Sequence, residues 1–180
     1  EEISKVIGTE IVIKDLFFNT PARLKFLRKK STEYARVREI VLKEALYNTK
    51  VSFSLTLDGR EVIKTSGRGI ENTILELFGV NTLKNSTKFN LGYWGNMELL
   101  KSNKDSIYTY VNGRYVKSKT IEKAVLDGYY TKLIRGRYPF AIIFFDISPE
   151  LVDVNVHPSK KVVKFVDEDK VYKEILDQLT

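Results

Sequence analysis

The chain has 180 residues, 43% hydrophobic and 29% charged, with 30 Lys and Arg against 23 Asp and Glu for a formal net charge of +7. This is a globular composition, long enough for one good core or two modest ones. Zero cysteines exclude a disulfide framework and a thiolate metal site, and the single histidine argues against a histidine-rich zinc centre or a Ser-His-Asp arrangement. No apolar run reaches the length needed to cross a bilayer, the run from Phe140 to Ile147 being strand-sized and interrupted by Asp146.

The first residues enter a strand-like pattern with no start signal before it, and the chain reads as a piece of a longer protein. Residues 9–14 alternate as in a strand. Thr20 before Pro21 is a helix start, with a capping hydroxyl and then a residue whose missing N–H costs nothing at the first helical position. That helix, 21–29, is short, with Leu24, Leu27 and Arg28 at helical spacing. Ser31 and Thr32 are expected to cap a longer helix to about residue 48, whose apolar stripe is Tyr34, Val37, Val41, Ala45 and Leu46. Residues 51–57 alternate strictly, Asp58-Gly59 follows, and 61–64 returns, which is a hairpin pattern. Ser66-Gly67-Arg68-Gly69 is a flexible, polar seam between two self-contained patterns. Its Gly-x-Gly is too short for a nucleotide-binding fingerprint.

Beyond the seam, 70–78 is helical with Ile74, Leu75 and Phe78 on one face and Gly79 as its stop. Strands are expected around 88–100 and 107–111, with Asn112-Gly113 as a tight turn and Arg114 opening the returning strand. Thr120 is expected to cap a helix from 121 to about 133. Residues 138–147 form a buried strand. In 152–156 three valines alternate with Asp153 and Asn155, and the turn carrying His157-Pro158 follows, so Lys160 stands just past a strand end. A further strand, 162–166, and a helix capped by Asp167 complete the chain. Helices and strands mix without strict alternation, which favours an α+β arrangement over a doubly wound sheet.

Positive charge is segregated. Residues 23–50 hold nine basic and three acidic side chains, and 101–137 again nine and three. Such segments suit a polyanion, because neutralising phosphates releases counterions whatever the base sequence. A self-contained enzyme is not expected, since no nucleophile-base pair and no metal cluster can be assembled from these residues.

Three strings carry a resemblance. Gly8-Thr9 with Asp15-Leu16-Phe17-Phe18-Asn19-Thr20-Pro21-Ala22-Arg23-Leu24-Lys25-Phe26-Leu27, then Tyr110-Val111-Asn112-Gly113-Arg114, then Asp153-Val154-Asn155-Val156-His157-Pro158-Ser159-Lys160 are similar, in this order, to the MutL family of DNA mismatch repair proteins, in its bacterial form. The resemblance spans residues 8–180 and implies a GHKL ATPase relationship shared with gyrase B. On it, 1–66 is the trailing part of the ATPase domain, 67–69 a linker, and 70–180 a two-layer α/β transducer-like domain similar to the second domain of gyrase B. It implies ATP-binding roles for Thr9, lining the adenine pocket, and Lys160, reaching the γ-phosphate. It places Arg114, Lys117 and Lys119 on the DNA, the last at a position usually held by arginine, and puts Arg23 on the short helix, either touching DNA or packing. The general base, the Mg-binding asparagine and the glycine-rich lid of the family lie upstream of the strings matched here, so no catalytic or metal residue is expected in this chain, and ATP and Mg2+ belong to the full-length protein. The implied partners are DNA, ATP, mismatch-recognition and downstream repair proteins, and a second copy on ATP binding, in the bacterial cytoplasm and with no membrane. The alternative is a stand-alone basic nucleic-acid-binding module with no nucleotide dependence.

Overall fold

The computed structural model describes residues 7–129, 133–154 and 162–179. The chain divides into two compact units, one up to Val37 and one from Arg38 onward.

In the first unit, residues 8–14 form no helix or strand and pair with no strand among the described residues, and Ile11, Val12 and Ile13 are exposed. Their alternation suits a strand, but a strand exists only where a neighbour takes its hydrogen bonds. Helix α1 (Pro21–Phe26) starts at proline as expected, yet Thr20 makes no side-chain cap bond. Arg23 lies with its guanidinium carbon 5.9 Å from the centre of the Phe17 ring, so it stacks locally. Helix α2 (Lys30–Tyr47) begins one residue before the expected Ser-Thr cap, and Glu33 accepts from the Arg28 N–H at 2.9 Å.

In the second unit, the last turns of α2 bury Leu42, Ala45 and Leu46. Strands β1 (Ser54–Leu57) and β2 (Arg60–Lys64) form the expected hairpin, with Asp58 at φ 49° and Gly59 at φ 77° giving the positive-φ pair that a two-residue turn needs. The segment after it is pinned: Ser66 N–H donates to Glu76 Oε2 at 2.9 Å and Gly69 N–H to the Thr49 carbonyl at 2.9 Å. Helix α3 (Ile70–Phe78) ends at Gly79 as read from the sequence, and a short helix α4 (Val80–Lys84), not anticipated, follows at once.

The centre is a five-stranded sheet of β3 (Ser86–Phe89), β4 (Gly92–Gly95), β5 (Ile107–Val111), β6 (Arg114–Tyr115) and β7 (Ala141–Phe145), in the order β3-β4-β7-β5-β6. The β5–β7 pair is parallel, from Ile107 opposite Ala141 to Val111 opposite Phe145, and the other pairs are antiparallel. Helix α5 (Lys119–Gly128) makes the crossover between the parallel strands. Helix α6 (Glu168–Leu179) lies beside it, and a two-stranded ribbon of β8 (Val152–Asp153) and β9 (Lys164–Phe165) precedes α6.

Alternation along the central strands builds two cores. Ile107, Val111, Ala141, Ile143 and Phe145 pack with Ile121, Ala124 and Val125 of α5 and Val171 and Ile175 of α6. Tyr110, Phe140 and Ile142 pack on the other face with Leu46 of α2 and Ile74 of α3. Helices therefore cover both faces, and this is why 139–145 reads as a continuous apolar run rather than an alternating one. Each fully buried isoleucine here stabilises the fold by about 1.5–3 kcal/mol.

Candidate nucleic-acid interface

The hairpin of β5 and β6 positions the three basic residues assigned to DNA. Asn112 at φ 48° and Gly113 at φ 79° make its two-residue turn. Gly113 also lies close to Tyr47, whose hydroxyl would be 2.7 Å from a Cβ there and would have to shift. Arg114 sits opposite Val111 at the turn end and is exposed. The chain then runs back along β5, with Val116 N–H donating to the Thr109 carbonyl at 2.9 Å and the Thr109 hydroxyl donating to the Val116 carbonyl. Lys117 bridges in parallel to Val162. Ser118, rather than the expected Thr120, caps α5 by accepting from Ile121 N–H at 3.2 Å, and Lys119 is the first residue of that helix. The Thr120 hydroxyl donates instead to the Glu168 carboxylate. Both lysines are exposed. At about 3.3 Å per residue, Arg114 is separated from Lys117 by roughly 10 Å, so the trio divides between the two ends of one returning segment.

The aromatic core makes the hairpin stiff. Tyr110 donates its hydroxyl to the Lys43 carbonyl at 2.8 Å and stacks with Tyr47 at 5.4 Å and Phe144 at 5.3 Å. The Lys43 ammonium lies 4.0 Å from the centre of the Tyr115 ring and pairs with Glu39, so that cation is engaged within the protein.

The cleft beside Lys117 is of mixed charge. Lys117, Lys119 and Arg114 form no ion pair among the described residues. Glu39, Lys104, Asp105, Lys117, Ser118 and Glu122 are among the residues that line a polar cleft of about 120 Å³. Within it the Glu122 carboxylate pairs with Lys104, and this bond holds the Lys104 ammonium above the ordinary lysine range against the opposing effect of burial. Burial pushes the Tyr108 phenol up to about 12, and Tyr115 is also raised by burial, opposed by the Lys117 charge. Both phenols stay neutral at physiological pH and place no negative charge on this face.

The nucleotide assignments fare differently. Thr9 is exposed in the unpaired stretch 8–14 of the first unit, and Lys160 lies outside the described residues. Among the described residues no group of three or more His, Cys, Asp or Glu is arranged to hold a metal ion.

Residues 63–180 match the family model described as DNA mismatch repair protein, C-terminal domain. The chain is 39% identical over 180 residues to the DNA mismatch repair protein MutL of Streptococcus uberis, covering 95% of this chain and 27% of that protein. It is 42% identical over 173 residues to MutL of Ligilactobacillus salivarius, covering 91% and 26%. The chain thus spans about a quarter of the length of these relatives. Among solved structures, the N-terminal domain of a DNA repair protein superposes with a TM-score of 0.71 at 22% identity, covering 91% of this chain and 57% of that one. The Aquifex aeolicus MutL ATPase domain complexed with ADP superposes with a TM-score of 0.55 at 24% identity, covering 75% and 51%. At those identities the two structures speak for the fold alone.

Proposed function

Because the chain belongs to the MutL family of DNA mismatch repair proteins, we propose that it holds duplex DNA by its phosphates within a longer protein that binds ATP. The observation that carries this reading is the exposed pair Lys117 and Lys119, without ion-pair partners among the described residues and fixed on a sheet segment and a helix start. A lysine is a point charge with no guanidinium fork, so its contact is to backbone phosphate and carries no base preference. Arg114 adds a contact at the turn end of the hairpin.

In this reading 1–66 is the trailing part of the ATPase domain, 67–69 the linker and 70–180 the DNA-holding, phosphate-sensing domain. Thr9 and Lys160 are this chain's contributions to an ATP site whose other parts, with the Mg2+ ligands, come from elsewhere in the full-length protein. ATP binding brings two copies together and changes how they hold DNA and signal to other repair proteins, in the cytoplasm.

Fluorescence anisotropy with a labelled duplex tests the DNA contact. Binding should weaken with salt, each phosphate contact adding about 0.9 to the log-log slope, and Lys119→Glu should flatten it. An unchanged slope and affinity would leave the lysines merely solvated. For the nucleotide contact, Lys160→Ala in the full-length protein should weaken ATP about tenfold to a hundredfold, with ADP little affected, since a lost hydrogen bond to a charged group is worth about 1.5–3 kcal/mol. Lys161 follows directly, so the double variant belongs in the experiment. Equal weakening of both nucleotides would refute the γ-phosphate contact, and DNA binding indifferent to ATP analogues would favour a stand-alone nucleic-acid module.

A further inference from the structure

The start of β5 and β7 carries basic residues to which no role has yet been given. Lys101 and Tyr138 form an antiparallel bridge with both backbone hydrogen bonds at 2.8 Å. The Ser106 hydroxyl donates to the Pro139 carbonyl at 3.0 Å and ties the two approaching segments together again. The loop before Tyr138 is a tight turn, with Arg137 N–H donating to the Ile134 carbonyl at 3.0 Å and Gly136 at φ 77°. Arg135 and Arg137 are therefore presented from a turn anchored to the sheet, and both are exposed, as is Lys101.

This is also the end of the sheet at which Lys117 and Lys119 emerge. The returning segment runs antiparallel to β5, so its later residues lie toward the start of that strand, and the polar cleft places Lys117 and Ser118 beside Lys104 and Ile107. Lys104 also lies 5.6 Å from the centre of the Tyr138 ring, which joins the cleft to the Lys101 bridge. Glu122 is taken up by Lys104 and Glu39 by Lys43, leaving Asp105 as the exposed acidic group of the cleft with no ion pair among the described residues. Among the described residues, Lys101, Arg135 and Arg137 form no ion pair.

We infer that Lys101, Arg135 and Arg137 form a second phosphate-contact set, continuous with Lys117 and Lys119, so that duplex DNA is held across the start end of the sheet as well. The inference rests on the DNA-binding reading above and adds the path the backbone takes. Five cations on anchored elements stand against two exposed carboxylates of the cleft, Asp105 and Glu39, the second of which is paired with Lys43. Two are guanidiniums, whose planar forks engage phosphate oxygens in pairs. Because the contacts go to phosphates, the set contributes affinity and salt dependence and no base preference.

The test measures binding of a fluorescein-labelled duplex of about 20 base pairs to the full-length protein from about 50 to about 200 mM KCl. Removing two phosphate contacts with Arg135→Gln/Arg137→Gln should reduce the log-log slope by about 1.8, so over that range wild type should lose roughly tenfold more affinity than the double variant. Lys101→Gln should subtract about 0.9 more. Lys170→Gln/Lys173→Gln, two exposed lysines on α6, controls for loss of net charge and should leave the slope unchanged. Circular dichroism melts confirm that each variant folds. If Lys117→Gln/Lys119→Gln flattens the slope while the Arg135/Arg137 variant matches wild type, the second set is refuted and the original reading stands. Equal flattening in the α6 control also overturns it, because the effect is then diffuse attraction. If wild type binds no duplex at all, both readings fail together.

Discussion

Replacing Gly92 with alanine tests the account of how the sheet is assembled. Gly92 pairs with Ile143 where β4 meets β7, at φ 145°. A Cβ built there would lie 1.9 Å from the Ile142 carbonyl oxygen, which is backbone and cannot rotate away. The left-handed backbone costs an alanine about 1–3 kcal/mol, and forcing the two strands apart adds about 1–3 kcal/mol. We expect about 2–6 kcal/mol of destabilisation in all. Gly59→Ala is the matched comparison, because Gly59 also has positive φ, 77°, but nothing lies within 4 Å of its Cβ position. Its cost of about 1–2 kcal/mol for the left-handed conformation is partly offset by about 0.4–1 kcal/mol from the stiffer unfolded chain. Urea unfolding followed by Trp94 reads both variants, since this lone tryptophan stacks on Tyr129 at 4.1 Å within the same unit. The midpoints should separate with the denaturant slope unchanged, and melting temperatures should differ by about 2–4 °C per kcal/mol. If the two alanines cost the same within about 1 kcal/mol, the close approach of β4 to β7 is not as described.

Asp167→Ala should cost about 1 kcal/mol, because Asp167 accepts from Lys170 N–H at 2.9 Å at the start of α6, whereas Asp167→Asn, which keeps an acceptor, should cost much less by thermal melting. Tyr110→Phe should cost about 0.5–1.5 kcal/mol, the worth of the bond to the Lys43 carbonyl, and an unchanged urea midpoint would show that this bond contributes nothing. Stability should fall as pH rises from about 10 to about 12, because an unfolded tyrosine ionises near 10 while burial holds Tyr93 and Tyr108 at about 12 in the fold. Between those values the unfolded state has lost protons that the native state keeps, so alkali favours unfolding. Absorbance at a tyrosinate wavelength should show the buried phenols titrating together with unfolding, and full titration of all tyrosines near pH 10 in the folded protein would contradict the burial.

Local signals were legible wherever one segment settles its own geometry. Asp58-Gly59 and Asn112-Gly113 announce two-residue turns because few residues tolerate the positive φ that such turns require. Gly79 and Asp167 mark helix ends because the unpaired backbone groups there need a particular neighbour. The caps were less legible. Thr120 and Ser118 are chemically equivalent candidates, and the choice fell to Ser118 because Glu168, far along the chain, engages the Thr120 hydroxyl. Residues 9–14 have the composition of a strand and no partner among the described residues; composition states a preference, and pairing has to be supplied by another segment.

The basic face divides in the same way. The sequence alone determined that positive charge is segregated and that Arg114, Lys117 and Lys119 follow a tight turn, since those are properties of order along the chain. Only the tertiary structure decided that Arg114 parts company with the two lysines and that Lys101, Arg135 and Arg137 arrive at their end of the sheet. The parallel pairing of β5 with β7 brings residues more than thirty apart into register. No local pattern encodes that pairing, because it results from burying two apolar strands between helices on both faces.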